Sequence, residues 1–244
     1  MNKNAIIFDE IVDKRRAYRV FDAEFKLPES VVKNSLERAI KSPSSSNMQL
    51  WEFYRIKSKE AVQEVAKICL NQSGAKTASE IVVFVARPDL WKERQAVHLK
   101  RLEKVETKNV KNKLFGSSEL SYFSEVIPQF YKSSFPLIRD FFKCIYVWNK
   151  SRKGPFMQDV YSKHIPVVTQ KSTALAAQTF MLSIIAEGFD SLPMEGLDSK
   201  RMKKFLKLPK SAEINMAIAV GKGMPDGLRG SRFRIPYEEV VFTI

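Results

Sequence analysis

The sequence predicts an α+β fold in one domain spanning residues 1–244, and three observations carry that reading. Ile81-Val82-Val83-Phe84-Val85-Ala86 is a continuous, mostly β-branched run, the pattern of a central strand buried on both faces. Several segments repeat apolar residues at the helical period. The other strand candidates are too few and too scattered for a doubly wound sheet. A length of 244 residues suits one large domain or two small ones. No repeat or low-complexity linker divides the chain.

The elements follow in order. Ile7, Ile11 and Val12 share one face of a short helix over Ile6 to Val12, stopping before Lys14-Arg15-Arg16. Pro28 and Glu29 open a second helix, as a proline and an acid suit a first turn. Val32, Leu36, Ala39 and Ile40 line it, and it ends at Ser42-Pro43. Trp51 to Ile56 reads as a strand, and Ser58 to Leu70 as a helix carrying Val62, Val65, Ala66 and Cys69. Beyond the central strand, a mostly helical and aromatic-rich region runs from about 88 to 166. It contains Phe115, Tyr122, Phe123, Phe130, Tyr131, Phe135, Phe141, Phe142, Tyr146 and Trp148, and reads either as a lid or arm of packed helices or as an extension of the core.

Thr173 to Ala186 is the most hydrophobic helix. Its small residues suit close packing on another helix, in this chain or a partner, and Gly188 suits its stop. Asp198 is placed to N-cap a helix carrying Met202, Phe205 and Leu206. Ile214 to Val220 is an alternating strand, and Val240 to Ile244 reads as a terminal one.

Composition excludes several classes. No stretch approaches the roughly 18–20 apolar residues of a membrane span, and the acids after Ile6-Ile7-Phe8 do not suit a secretory or transit segment. Cys69 and Cys144 lie in apolar context and read as two reduced, buried thiols of a cytoplasmic protein. His98 and His164, far apart and without a cysteine pair, give no metal-ligand set and no hydrolytic triad. A net charge of +14 permits nucleic acid, an anionic surface or an anionic ligand. The lysines, however, alternate with apolar residues as on solvated helix faces, and no nucleic-acid motif accompanies them. Gly221, Gly223 and Gly227 form neither a dinucleotide fingerprint nor a Walker loop.

Four separated segments carry the chemistry. They are Arg15-Arg16-Ala17-Tyr18-Arg19, Pro43-Ser44-Ser45-Ser46-Asn47-Met48-Gln49-Leu50-Trp51, Leu192-Pro193-Met194-Glu195-Gly196 and Arg232-Phe233-Arg234-Ile235-Pro236. Each alone also fits surface charge, a plain loop or a turn. In this order they resemble the FMN-dependent nitroreductase family over about Ile11 to Val241, apart from the variable region 88–166. Arginine forks suit a phosphate, so Arg15, Arg232 and Arg234 are natural ligands from two ends of the chain.

The resemblance implies a mostly antiparallel sheet flanked by helices, and a homodimer with exchanged C-terminal strands and FMN at its interface. It places Arg15, Arg16, Ala17, Arg232 and Arg234 at the phosphate, and Arg19 by the flavin pyrimidine. Pro43, Ser44, Ser45, Ser46 and Asn47 would reach the flavin from the partner subunit, and Gln49 would also bind the cofactor. Asn71 would bond the pyrimidine edge. Pro193 and Met194 lead to Glu195 and Gly196, whose backbone N–H groups would face N5 and O4. Ala17 stands where many members have Ser, and Gly74 where some have a Lys that Lys76 would have to replace.

No catalytic side chain is needed, because the flavin carries the hydride. The implied reaction is ping-pong, from NADH or NADPH to a small planar acceptor such as a nitroaromatic, quinone, enone or flavin. The alternatives are reductive dehalogenation, dehydrogenation or flavin fragmentation on the same fold, or a basic polyanion-binding module. Neither a nucleic acid nor a membrane is an expected partner.

Overall fold

The computed structural model describes residues 2–106, 113–114, 117–132 and 136–244. The elements run α1 (Lys3–Lys14), α2 (Glu29–Ala39), β1 (Trp51–Ile56), α3 (Lys59–Ile68), α4 (Ser73–Thr77), β2 (Glu80–Ala86) and α5 (Trp91–Glu106). A small hairpin of β3 (Lys113–Leu114) and β4 (Ser117–Ser118) follows. Next, α6 (Glu119–Ser121) passes through a π-turn, Tyr122–Val126, into α7 (Ile127–Tyr131). The chain continues with α8 (Pro136–Ser151), α9 (His164–Ala186), β5 (Asp190–Met194), α10 (Ser199–Phe205), β6 (Glu213–Gly221) and α11 (Tyr237–Val240).

An antiparallel four-stranded sheet, ordered β1-β2-β6-β5, is the centre of the molecule. All seven residues of β2 are buried, and their alternation builds two cores. Ile81, Val83 and Val85 pack with Val62, Val65 and Met202 on the face covered by α3 and α10. Val82 and Phe84 pack with Val32, Phe180 and Ile184 on the face covered by α2 and α9. Burying each such side chain contributes about 1.5–3 kcal/mol, so this strand anchors both layers.

Several helix limits follow local chemistry. Ser58 accepts from the Ala61 N–H and Asp198 from the Arg201 N–H, each capping the helix that follows. Gly188, at φ 85°, ends α9: its N–H donates to Ile185 O and the Phe189 N–H to Ile184 O, a Schellman closure. The small residues of α9 serve this same chain, since Ser183 Oγ donates to Ser35 Oγ of α2 across a buried 3.0 Å contact.

Four expectations need correction. First, α1 continues through Lys14, whose charge suits a helix C-terminus. Second, Leu192-Pro193-Met194, which also reads as a turn, lies within strand β5. The proline is tolerated because β5 is an edge and its missing N–H faces away from β6. Third, Val240 to Ile244 forms no strand within its own chain. One helical turn, Tyr237–Val240, precedes exposed residues, because an apolar strand needs a sheet edge to pair with and the tail pairs with none among the described residues. Fourth, Cys144 is exposed on α8, whereas Cys69 is buried.

Region 88–166 has two characters. Leu90, Leu102, Tyr122, Phe123, Ile127 and Tyr131 join Met48 and Leu50 in a third core. On α8, by contrast, Phe141, Phe142, Ile145, Tyr146 and Trp148 are exposed. Phe115 and Phe135 lie outside the described residues.

Candidate functional site

The two arginine-bearing ends meet. After α1 the chain is extended at Arg15 and runs beside edge strand β5, where Ala17 bridges Ser191 and the Tyr18 N–H donates to Ser191 O at 3.3 Å. The Arg19 N–H donates to Gly227 O at 2.8 Å. From the other end, Arg232 Nη2 donates to the carbonyls of Asp13, Val12 and Arg15 at 2.6, 3.0 and 2.9 Å. Its Nη1 lies 3.3 Å from Asp13 Oδ1. Arg232 thereby satisfies carbonyls that the end of α1 leaves open. Arg16 Nη2 completes the tie by donating to Gly230 O at 2.7 Å.

These ties concentrate like charge. The half-buried Arg15 guanidinium is held below its ordinary pKa, first by burial and then by Arg232, Arg234 and Arg16. It stays fully charged at neutral pH, so the cluster is a fixed positive centre. Arg19 Nη1 donates to Ala17 O at 3.4 Å, while Arg234 Nη1 donates to the neighbouring Phe233 carbonyl at 2.7 Å.

Asn71 and the turn after β5 join the same region. Helix α3 ends on two successive left-handed residues, Leu70 at φ 57° and Asn71 at φ 56°. The Asn71 N–H returns to Ala66 O at 2.9 Å, and Leu70 takes the position where glycine is usual. Gln72 Nε2 then donates to Gly196 O at 2.9 Å, and the Asp198 N–H to Ile68 O at 2.9 Å. Glu195 and Gly196 are exposed, and their N–H groups have no acceptor among the described residues. Gln72 gave no sequence signal, because its role depends on a partner 124 positions away.

Gly74 underlies this convergence. A Cβ there would stand 2.4 Å from Leu192 Cδ2 and 3.5 Å from Arg19 Cα. A lysine there would require the Leu192 side chain to shift, and the nearby Lys76 lies in different surroundings. It lines a separate cleft of about 360 Å³ with Phe25, Lys26, Lys57 and Lys59.

The loop from Pro43 to Gln49 lies elsewhere. Ser46, Asn47 and Gln49 are all left-handed, at φ 52°, 51° and 49°. Ser44 Oγ accepts from the Gln49 N–H, and the Ser45 N–H donates to Ser172 Oγ of α9. Ser46 Oγ and the Tyr122 hydroxyl are 2.7 Å apart, and His98 Nε2 lies 2.9 Å from Asn47 O. Among the described residues, no hydrogen bond or ion pair joins this loop to the arginine cluster. One chain therefore unites Arg15–Arg19, Asn71, Pro193–Gly196 and Arg232–Arg234, but not residues 43–49.

The donor set fits a phosphorylated flavin. Clustered guanidiniums suit a dianionic phosphate, and free peptide N–H groups suit ring acceptors. The fold sets helices on both faces of a small antiparallel sheet. The nitroreductase family model matches residues 12–222, and the chain belongs to that family. It is 27% identical over 219 residues to protein DrgA of Synechocystis, covering 90% of this chain and 85% of that one. A protein of Exiguobacterium sibiricum solved with FMN matches at TM-score 0.67 and 21% identity, over 97% of each chain. The NADPH:FMN oxidoreductase of Vibrio harveyi, solved with NAD+, matches at TM-score 0.61 and 15% identity, over 97% of this chain and 76% of that one.

Proposed function

We propose that the protein is an FMN-dependent NAD(P)H oxidoreductase working as a homodimer. The observation that carries this reading is the meeting of Arg15, Arg16, Arg232 and Arg234, in a chain whose Glu195 and Gly196 N–H groups have no acceptor among the described residues. FMN held there would supply a ring able to take hydride from the dinucleotide and to pass reducing equivalents to a second substrate.

The protein's residues bind and tune. Arg15, Arg16 and Arg234 grip the phosphate, and Arg232 holds their strands together while adding charge. Arg19 stabilises negative charge at the pyrimidine end, favouring reduction. Asn71 bonds the pyrimidine edge. Pro193 and Met194 fix the turn that aims the Glu195 and Gly196 N–H groups at N5 and O4, leaving the ring face open. One shallow face then serves donor and acceptor in turn, which makes the kinetics ping-pong. The acceptor is a small planar nitroaromatic, quinone, enone or flavin.

The dimer supplies what one chain separates. Residues 43–49 would approach the arginine cluster from the partner subunit. Ile6, Ile7 and Phe8 of α1, and Phe233, Ile235, Tyr237, Val241 and Phe242 of the tail, are exposed apolar residues that a second copy would cover. Strand β1 keeps a free edge beside exposed Ile40, where an exchanged tail would add a strand.

The experiment is a visible spectrum of the purified protein before and after excess FMN, then with NADPH in the absence of oxygen. Flavin bands that shift on binding and bleach with NADPH support the reading. A colourless protein that ignores FMN defeats it.

A further inference from the structure

The loop of residues 43–49 holds an unusual shape, restrained from within by Ser44 and by Gln49, whose Nε2 also donates to Asn47 O at 3.2 Å, and from outside by neighbouring elements. Three of its residues are left-handed without being glycine, a conformation that persists only when surrounding structure imposes it. Two side chains of the region 88–131 grip it. His98 on α5 meets the Asn47 carbonyl at 2.9 Å, and Tyr122, first residue of the π-turn, meets Ser46 Oγ at 2.7 Å.

His98 itself is locked. Its ring stacks on Phe123 with centroids 4.3 Å apart and planes 9° from parallel. Gln95 Nε2 holds the Phe123 carbonyl at 2.7 Å, which fixes the stacking partner. The side chain is buried, and Nδ1 finds no partner among the described residues. The Asn47 carbonyl can only accept, so Nε2 carries the proton and Nδ1 is bare. A doubly protonated ring would bury an N–H with no acceptor.

We infer that His98 and Tyr122 are positioning residues that hold loop 43–49 in the shape the flavin requires. His98 acts as a neutral donor to Asn47, and Tyr122 as a tether to Ser46. The inference rests on the cofactor reading given above. It assigns the π-turn a purpose, since such turns re-aim side chains at functional sites. It also makes the loop pH-sensitive: Nε2 still donates to Asn47 after a second proton binds, but that proton puts a charge and an Nδ1–H without an acceptor among the described residues into the buried site under the loop. The charged and titratable groups around that ring are Arg101 of α5, Glu119 of α6, paired with it, and the neighbouring Tyr122.

The test uses full-length His98→Phe, His98→Gln and Tyr122→Phe proteins with two readouts. Amide hydrogen exchange of residues 44–49, without cofactor, reads the loop alone. His98→Phe keeps the stack but cannot donate, so exchange should quicken about tenfold, the effect of one lost hydrogen bond. His98→Gln, whose amide donates from nearly the place of Nε2, should restore wild-type exchange. Tyr122→Phe should quicken it at Ser46 and its neighbours.

FMN titration is the second readout. His98→Phe should weaken binding about tenfold, and His98→Gln should bind as wild type while losing the fall in affinity that wild type shows on acidification. Unchanged exchange in both His98→Phe and Tyr122→Phe overturns the inference, as does quickened exchange with unchanged FMN affinity. If wild-type protein takes up no FMN, the cofactor reading fails by itself, and the positioning role for flavin is overturned whatever the exchange shows.

Discussion

Arg232 Nη2 sits 2.6 Å from the backbone oxygen of Asp13, tying a segment near one end of the sequence to the last turn of its first helix. The same nitrogen reaches the Val12 and Arg15 carbonyls, so one guanidinium joins two strands of chain that both carry arginines. A positive centre is thus built by bonds to neutral carbonyls, with Asp13 the carboxylate paired to Arg232.

That arrangement separates two roles. Arg232→Ala removes the tie and should destabilise the cofactor-free protein by about 1–2 kcal/mol in urea unfolding, with FMN affinity falling as well.

Arg15→Gln should behave differently. Removing a half-buried charge that its neighbours repel leaves stability unchanged or slightly raised. The phosphate loses a ligand, so FMN binding should weaken at least tenfold by fluorescence titration.

On the far edge of the sheet, Arg55 clasps the buried Glu80 through Nε at 2.6 Å and Nη2 at 2.8 Å. The pair raises the Arg55 pKa, chiefly through the Glu80 hydrogen bonds. Glu80→Ala leaves the Arg55 guanidinium with Glu29 as its carboxylate, at 2.8 Å, and should cost about 1–3 kcal/mol by denaturant titration, with flavin content per folded molecule unchanged.

Asp190 supplies a pH signature. Burial raises its pKa, opposed by the hydrogen bond from the Gly223 N–H at 3.0 Å. A raised carboxylate pKa means the unfolded chain releases this proton more readily, so the group weakens the fold as pH climbs through its folded value. Asp190→Asn keeps the acceptor and should raise the Tm near pH 7. The advantage should shrink as pH falls toward 4 and vanish below it, a trend thermal melts would record.

The two cysteines should react unequally. Burial pushes the Cys69 thiol up to about 11, whereas Cys144 is exposed on α8. Mass spectrometry after brief treatment with iodoacetamide should find Cys144 modified and Cys69 intact in native protein, and both modified in urea.

Much of the sheet and its helices was legible because their signals are local. The β-branched run at 81–86 is a strand wherever it is placed, and Ser58 and Asp198 cap their helices by contacts within three residues. Val240 to Ile244 carries the same apolar signal and forms no strand, since pairing needs an edge that periodicity cannot supply. Strand β5 hid behind Pro193 for the converse reason: only its edge position makes the proline harmless. Cys144 misled because apolar neighbours in sequence do not form a core when a helix turns them outward.

The sequence by itself determined the central strand, the capped helices, the four segments that mark the family and the excess of positive charge. Those depend on residue type, period and spacing, which the chain carries unfolded. The tertiary structure decided that Arg232 would bind carbonyls at the end of α1, that Gln72 would hold Gly196, and that a side chain at Gly74 would press on Leu192. It also decided that His98 and Tyr122 would grip the loop at Ser46 and Asn47. Each of these contacts joins residues at least 51 positions apart or closes a space between packed elements, and such proximity exists only once the layers have docked.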